Sequence, residues 1–252
     1  IACSLTEVRE MIQFCVVAGV RFVVIEYGRF QPSWREMKAL IDQGVTGRPY
    51  YANLTSRGRS TLPEARFGVR PWFAEMPLFI NYELGVHYLD TLRYLFGEAK
   101  TVYAHMKRVS PHVAGEDLMT IMLEMGGVTA VVDMSWASIP TETRKTETVG
   151  RGAATWGVYR IEGELGTLHL DLDARLRVIT DEGEEQTQLP VNGEVLGYQH
   201  AQQHFVDCLR TGAPSETSGR ETLKTMELVF GAYDSAIHNR VYHVGQDADR
   251  LE

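Results

Sequence analysis

Apolar positions between Ser4 and Ala18 recur at helical spacing, with Leu5, Val8, Met11, Ile12, Cys15 and Val16 making one stripe. Ser4, with Glu7 three residues on, reads as a capping box, so the pattern predicts a helix that stops at Gly19. Val20 to Ile25 follows as a β-branched run without alternation, the pattern of a short strand buried on both faces of a parallel sheet. A helix running through glycine into such a strand is the closing unit of a βαβ fold, and the strand needs parallel neighbours for its backbone hydrogen bonds. Past Pro32, a second helix is expected over Trp34 to Gln43, ended by Gly44, and then a strand over Tyr50 to Thr55.

Farther along, the apolar period changes to that of a half-buried strand. Val102, Ala104 and Met106 alternate with polar neighbours, as do Met119, Ile121, Leu123 and Met125. So do Val128, Ala130, Val132, Met134 and Trp136, and finally Leu168, Leu170 and Leu172. Gly126-Gly127 and the stretch from Glu164 to Gly166 read as hairpin turns. Helices over Tyr198 to Leu209 and Glu221 to Asn239, separated by a loop with Gly212, Pro214 and Gly219, supply a cover. The expected class is α+β: a large, mainly antiparallel open sheet with helices on one face, preceded by the last helix-strand unit of an α/β domain.

A chain of 252 residues can bury a substantial core. Its 44% hydrophobic and 23% charged residues are ordinary for a globular domain, with no apolar run long enough to cross a bilayer. The net charge of -8 is spread along the chain without a Lys/Arg cluster to meet phosphates, which argues against a nucleic-acid surface. Cys3, Cys15 and Cys208 are odd in number and lack disulfide or zinc spacing, so reduced thiols and a cytoplasmic setting are expected. The chain starts at Ile1 with no signal-like segment, which leads to the expectation that the natural protein begins upstream.

Candidate chemistry concentrates between Asn81 and Gly97. Read as a helix, this stretch has a core stripe of Leu84, Tyr88, Leu92 and Leu95, while Glu83, His87, Asp90 and Tyr94 line up along another face. A carboxylate one turn from an imidazole can orient it and raise its pKa, which suits a general base near neutral pH. An ordinary solvated pair has the same spacing, and a zinc site would need a third ligand. His200 and His204 also lie one turn apart, but Ala201 stands where a metalloprotease helix carries its Glu, so a hydrogen-bonded pair is the simpler reading. Gly150-Arg151-Gly152-Ala153-Ala154 is half of a dinucleotide fingerprint, with Thr155 where the third glycine belongs, and is read as a loop. Arg29, just after the predicted parallel strand, and the cluster Arg70-Pro71-Trp72-Phe73 could hold a hydroxylated substrate by hydrogen bonding and stacking, or could be core corners with a snorkelling Arg.

Four segments in order carry a family resemblance: Val20 to Pro32, Lys38 to Gly47, Glu83 to Glu98 and Ser218 to Ala236. Together they resemble the glucose-fructose oxidoreductase / inositol dehydrogenase (Gfo/Idh/MocA) family. The resemblance implies hydride transfer between NAD or NADP and a sugar- or polyol-like substrate, with His87 as general acid/base and Glu83 where the family usually has an Asp. Arg29, Trp72, Tyr82 and Asp90 would position substrate, and Tyr27 replaces a common Asn. Residues 1–27 would be the remnant of the dinucleotide-binding Rossmann domain, and residues 28–252 the substrate-binding and oligomerisation domain. The family's Glu-Lys-Pro segment and glycine-rich loop would precede Ile1, so this chain alone is expected to be inactive and the cofactor contacts stay unassigned. A homodimer or larger homo-oligomer through the open sheet face is implied. The competing reading is a non-catalytic binding or oligomerisation module.

Overall fold

The alternating segments pair into one nine-stranded sheet of order β8-β7-β6-β5-β1-β4-β3-β2-β9 in a computed structural model that describes residues 1–139, 155 and 157–251. The strands are β1 (Pro49–Arg57), β2 (Ala99–Lys107), β3 (Leu118–Met125), β4 (Val128–Ser135) and β5 (Val158–Gly163). They continue with β6 (Gly166–Leu170), β7 (Arg175–Thr180), β8 (Gly183–Gln188) and β9 (Tyr242–His243). β1 and β4 pair parallel, and the other neighbours pair antiparallel.

The register brings the apolar set of each strand onto the same face. Val102 lies beside Leu123, Leu123 beside Ala130 and Ala130 beside Ala52. Ala52 then lies beside Ile161, and Ile161 beside Leu168. All six are buried. A one-residue slip in any strand would turn its whole apolar set to solvent, so the pattern selects the pairing. Gly126 and Gly127 both take positive φ, the backbone that a tight β3–β4 hairpin requires.

Helices cover that face. They are α1 (Leu5–Val17), α2 (Pro32–Asp42), α3 (Val86–Phe96), α4 (Gly193–Thr211) and α5 (Gly219–His238). α5 packs on β2, on α1 and on α3, and α3 reaches β4. Leu5, Val8, Trp34, Tyr88, Leu92 and Val229 join one core with the sheet. The opposite sheet face shows Tyr103, Met122 and Glu124 to solvent.

The structure departs from the sequence reading: β5 and β7 were not anticipated, and Leu172 lies beyond the end of β6. Val20 to Ile25 is not a strand: Val23 makes only an isolated antiparallel bridge to Ser218, because no parallel neighbour flanks it among the described residues. β8 is exposed along its whole length, so it carried no apolar alternation to read. On α1 only Leu5 and Val8 of the predicted stripe are buried, and Met11 and Val16 stay exposed beside Phe14 and Val17.

The sheet centre is expected to dominate stability. Leu54 is buried between Val132 and Tyr159 on the neighbouring strands, so Leu54→Ala should cost about 2–5 kcal/mol in urea unfolding. Thr129→Ala on the open face should stay within about 0.5 kcal/mol.

Candidate active site

The helix that carries His87 is anchored at its entry. Before α3 the chain makes one π-helical turn, Asn81–Gly85. The backbone N–H groups of Phe79 and Asn81 donate to the Glu116 carboxylate at 3.0–3.1 Å, and Ile80 N–H donates to the Glu116 carbonyl. A carboxylate meeting the positive end of a helix is favourable, and Tyr233 adds an O–H donor at 2.6 Å. Gly85 permits a close approach to β3: a Cβ there would meet Asn81 Oδ1 at 2.7 Å and Met119 Cε at 2.9 Å. The start of α3 is thereby held to the sheet.

Segment 23–30 lies along α3, and the two elements match turn for turn. Glu26 and Arg29 are three residues apart on the segment, and His87 and Asp90 three apart on the helix. Nδ1 of His87 lies 2.8 and 2.7 Å from the two oxygens of Glu26, and Gly28 N–H donates to Glu26 Oε1 at 2.9 Å. One step on, the Arg29 fork grips Asp90, with Nε–Oδ2 and Nη2–Oδ1 both at 2.7 Å. Thr225 donates to Asp90 Oδ1, and Arg29 Nη1 also donates to the Glu216 carbonyl. Glu26, Arg29 and Asp90 are all buried, whereas the His87 side chain keeps 20% of its surface exposed.

An aromatic and acidic wall surrounds that side chain. The Tyr27 ring is tilted against His87 at 5.3 Å and stacks on Tyr198 at 3.7 Å, and its hydroxyl donates to Glu194 at 3.4 Å. Glu83 pairs with Arg70 at 3.5 Å. Burial alone would lower the His87 pKa, but the Glu26 charge and hydrogen bond, then Glu83 and Asp90, outweigh it and raise the value above the ordinary histidine range. Burial would raise Glu26, yet His87, the Gly28 amide and Arg29 bring it below the usual carboxylate range. Both shifts favour a charged pair. Glu83 is pushed up by burial, and His87 and Arg70 offset only part of that.

The predicted residues separate into groups. His87 and Glu83 share the site, but the carboxylate on the imidazole is Glu26. Asp90 and Arg29 hold each other within a buried ion pair beside it. The Tyr82 hydroxyl donates to the Ala2 carbonyl at 2.7 Å, and Trp72 is exposed against Phe73. His200 donates to the Phe30 carbonyl, while His204 Nε2 accepts from Glu216 N–H. Among the described residues no cluster of His, Cys, Asp and Glu could hold a metal. Gly150 to Ala154 lies outside the described residues. An apolar cleft of about 320 Å³ between α1, Phe22 and the α4–α5 loop is separate from the His87 site. Sequence reasoning missed Glu26, Glu194 and Tyr198. Glu26 left one trace, a carboxylate closing the apolar run Val23-Val24-Ile25, where a buried charge demands a partner.

The chain, a one-sided sheet under a helix that bears a carboxylate-bound histidine, belongs to the GFO/IDH/MocA family, whose C-terminal domain matches residues 34–169. It is 32% identical over 250 residues to a D-apiose dehydrogenase of Paraburkholderia graminis, covering 95% of this chain and 63% of that protein. A D-apiose dehydrogenase of Rhizobium rhizogenes is 31% identical over 255 residues, with 96% and 70% covered. The chain therefore spans somewhat under two thirds of one curated relative's length and somewhat over two thirds of the other's. Among solved structures, an oxidoreductase from Agrobacterium radiobacter in complex with NAD+, L-tartaric acid and magnesium superimposes with a TM-score of 0.85 at 31% identity, covering 97% of this chain and 71% of that one. The aldose-aldose oxidoreductase from Caulobacter crescentus shares the fold at 20% identity and a TM-score of 0.76, with 96% and 69% covered.

The Arg29–Asp90 pair is expected to be structural in energy whatever else it does. Asp90→Ala should cost about 3–5 kcal/mol by chemical denaturation without any ligand, because it strands a buried guanidinium. The double change Arg29→Met with Asp90→Leu should recover part of that loss.

Proposed function

We propose that this chain is the substrate-binding and proton-handling part of a cytoplasmic NAD(P)-dependent oxidoreductase acting on a sugar- or polyol-like substrate. The supporting observation is His87, a partly accessible imidazole with buried acidic neighbours, in a family whose 31–32% identical relatives are named D-apiose dehydrogenases. D-apiose is accordingly the substrate to try first.

The donor set suits a nicotinamide partner. When bound, the nicotinamide supplies a two-electron hydride acceptor at C4, which leaves the hydroxyl proton of the alcohol to be removed. His87 takes that proton as the carbinol C–H pair departs as hydride and the O–H pair becomes the new C=O bond. In the reverse direction His87 returns the proton to the carbonyl oxygen. Glu83, beside Arg70, accepts a neighbouring substrate hydroxyl. The chain has no Gly-x-Gly-x-x-Gly turn, so a phosphate grip on the dinucleotide would come from an additional nucleotide domain, of which residues 1–27 are the closing segment. The exposed Phe14, Val16 and Val17 on α1 fit a surface that such a domain would cover. Free Cys3, Cys15 and Cys208 fit a reducing compartment, and no helix among the described residues is long and apolar enough to cross a membrane.

In the full-length protein, assayed with NAD+ and D-apiose, His87→Ala should lower turnover by roughly 100-fold or more. Turnover within a few-fold of wild type would remove His87 as the acid/base.

We also propose a homo-oligomer joined through the open sheet face. Tyr103, Met122 and Val131 lie side by side there on β2, β3 and β4. Two such faces can stack about 10 Å apart with interdigitating side chains. Light scattering at tens of micromolar protein should give at least a dimer mass, and Met122→Glu should shift it toward the monomer.

A further inference from the structure

We propose that Glu26 is a positioning residue: it forms a carboxylate–imidazole dyad with His87 that fixes a proton on Nδ1, assigns proton exchange to Nε2, and favours the imidazolium over the neutral ring. This rests on the oxidoreductase reading for its chemical meaning, but the dyad itself stands on geometry. Both Glu26 oxygens lie within 2.8 Å of Nδ1. A carboxylate at that distance accepts a hydrogen bond, so Nδ1 carries the hydrogen and the tautomer is decided. Glu26 cannot swing away at low cost, because it is buried and Gly28 N–H holds Oε1 from the other side. The approach is tight: a Cβ on Gly28 would fall 2.9 Å from Glu26 Oε1 and 3.6 Å from His87 Cβ.

The charge balance around the ring favours the imidazolium. Segment 23–30 contributes Glu26, and also Arg29, whose charge is matched by Asp90 from α3. The π-turn contributes Glu83, itself paired with the exposed Arg70. Glu194 at the start of α4 lies beyond Tyr27 and Tyr198. Once Arg29 is cancelled by Asp90, and Glu83 by Arg70, Glu26 remains as the carboxylate in contact with the imidazole. The sign follows. Below the raised His87 value the pair is intact and stabilises the folded site, and that contribution fades as pH climbs through it. On the acid side it fades only as pH falls through the lowered Glu26 value. Carbonyl reduction draws on the protonated form, which the Glu26 contact favours, whereas alcohol oxidation requires its deprotonation and should rise toward alkaline pH.

The test uses the full-length protein labelled with 15N-histidine, without substrate or cofactor, with the His87 signal assigned by its loss in His87→Gln. Wild-type protein should show Nδ1 protonated at pH 7, with a titration midpoint above the ordinary value of about 6.5. Glu26→Gln keeps an acceptor for Nδ1–H but removes the charge, so its midpoint should fall by about one pH unit or more, with Nδ1–H retained. Glu83→Gln should move it less. The rising limb of kcat/KM for oxidation against pH should shift downward in Glu26→Gln by the same amount. A wild-type His87 that carries its single proton on Nε2 at pH 7, or a midpoint unchanged in Glu26→Gln, overturns the dyad, and the wild-type spectrum decides even if the variant does not fold. Loss of the oxidoreductase reading would instead appear as absence of NAD(P)-dependent turnover of D-apiose and other sugars by the wild-type protein, with the dyad spectrum intact.

Discussion

Four buried or half-buried ionisable side chains along one seam constrain this structure: Glu26 and Arg29 from the segment after α1, His87 and Asp90 from α3. Taking such charges out of water costs several kcal/mol each unless each meets a partner with good geometry. The seam satisfies that demand because the three-residue step of the Tyr27–Phe30 turn matches the three-residue step of the helix, so two pairs form in register. Sliding the segment by one residue would strand all four charges together. The pairs thus contribute little net stability by their attraction, yet they exclude the alternative alignments, and the imidazole inherits a fixed position from that exclusion.

The rest of the fold holds the seam still. α3 cannot shift along its axis while Glu116 accepts from the amides at its entry and Gly85 sits tight against β3. Arg93, farther along α3, bonds Glu98 and the first turn of α5, which ties the helix to its neighbour. The far wall of the site is assembled from α4, where Gly197 lets the helix approach Tyr27 closely enough for Tyr198 to stack on it: a Cβ at Gly197 would meet the Tyr27 carbonyl at 2.9 Å. His87 is consequently placed by contacts to the sheet, to α4 and to segment 23–30 together.

A site of this kind separates its tasks. The paired charges that hold the architecture, Arg29 with Asp90, stand one helical turn from the His87 imidazole, whereas Glu83 pairs with the exposed Arg70. Burial makes the first pair expensive to change, and exposure leaves the second adjustable without disturbing the seam.

The amino-acid sequence alone determined what depends on local period. It marked the apolar alternation of β2, β3, β4 and β6, the Gly126-Gly127 hairpin and the helices, with Glu83 standing in the π-turn that leads into the helix of His87. It also carried the family resemblance. It could not reveal β8, whose residues are uniformly polar, or deny Val20 to Ile25 the strand that its composition suggested, because strand formation depends on neighbours as well as propensity. The partner of His87 was decided only by tertiary structure. Glu83 is near in sequence and helical spacing, but Glu26 reaches Nδ1 across 61 residues, the same separation that joins Arg29 to Asp90. Periodicity reports which side of an element faces inward. Which charge meets which within the core is set by how two elements align, and that alignment exists only once the chain has folded.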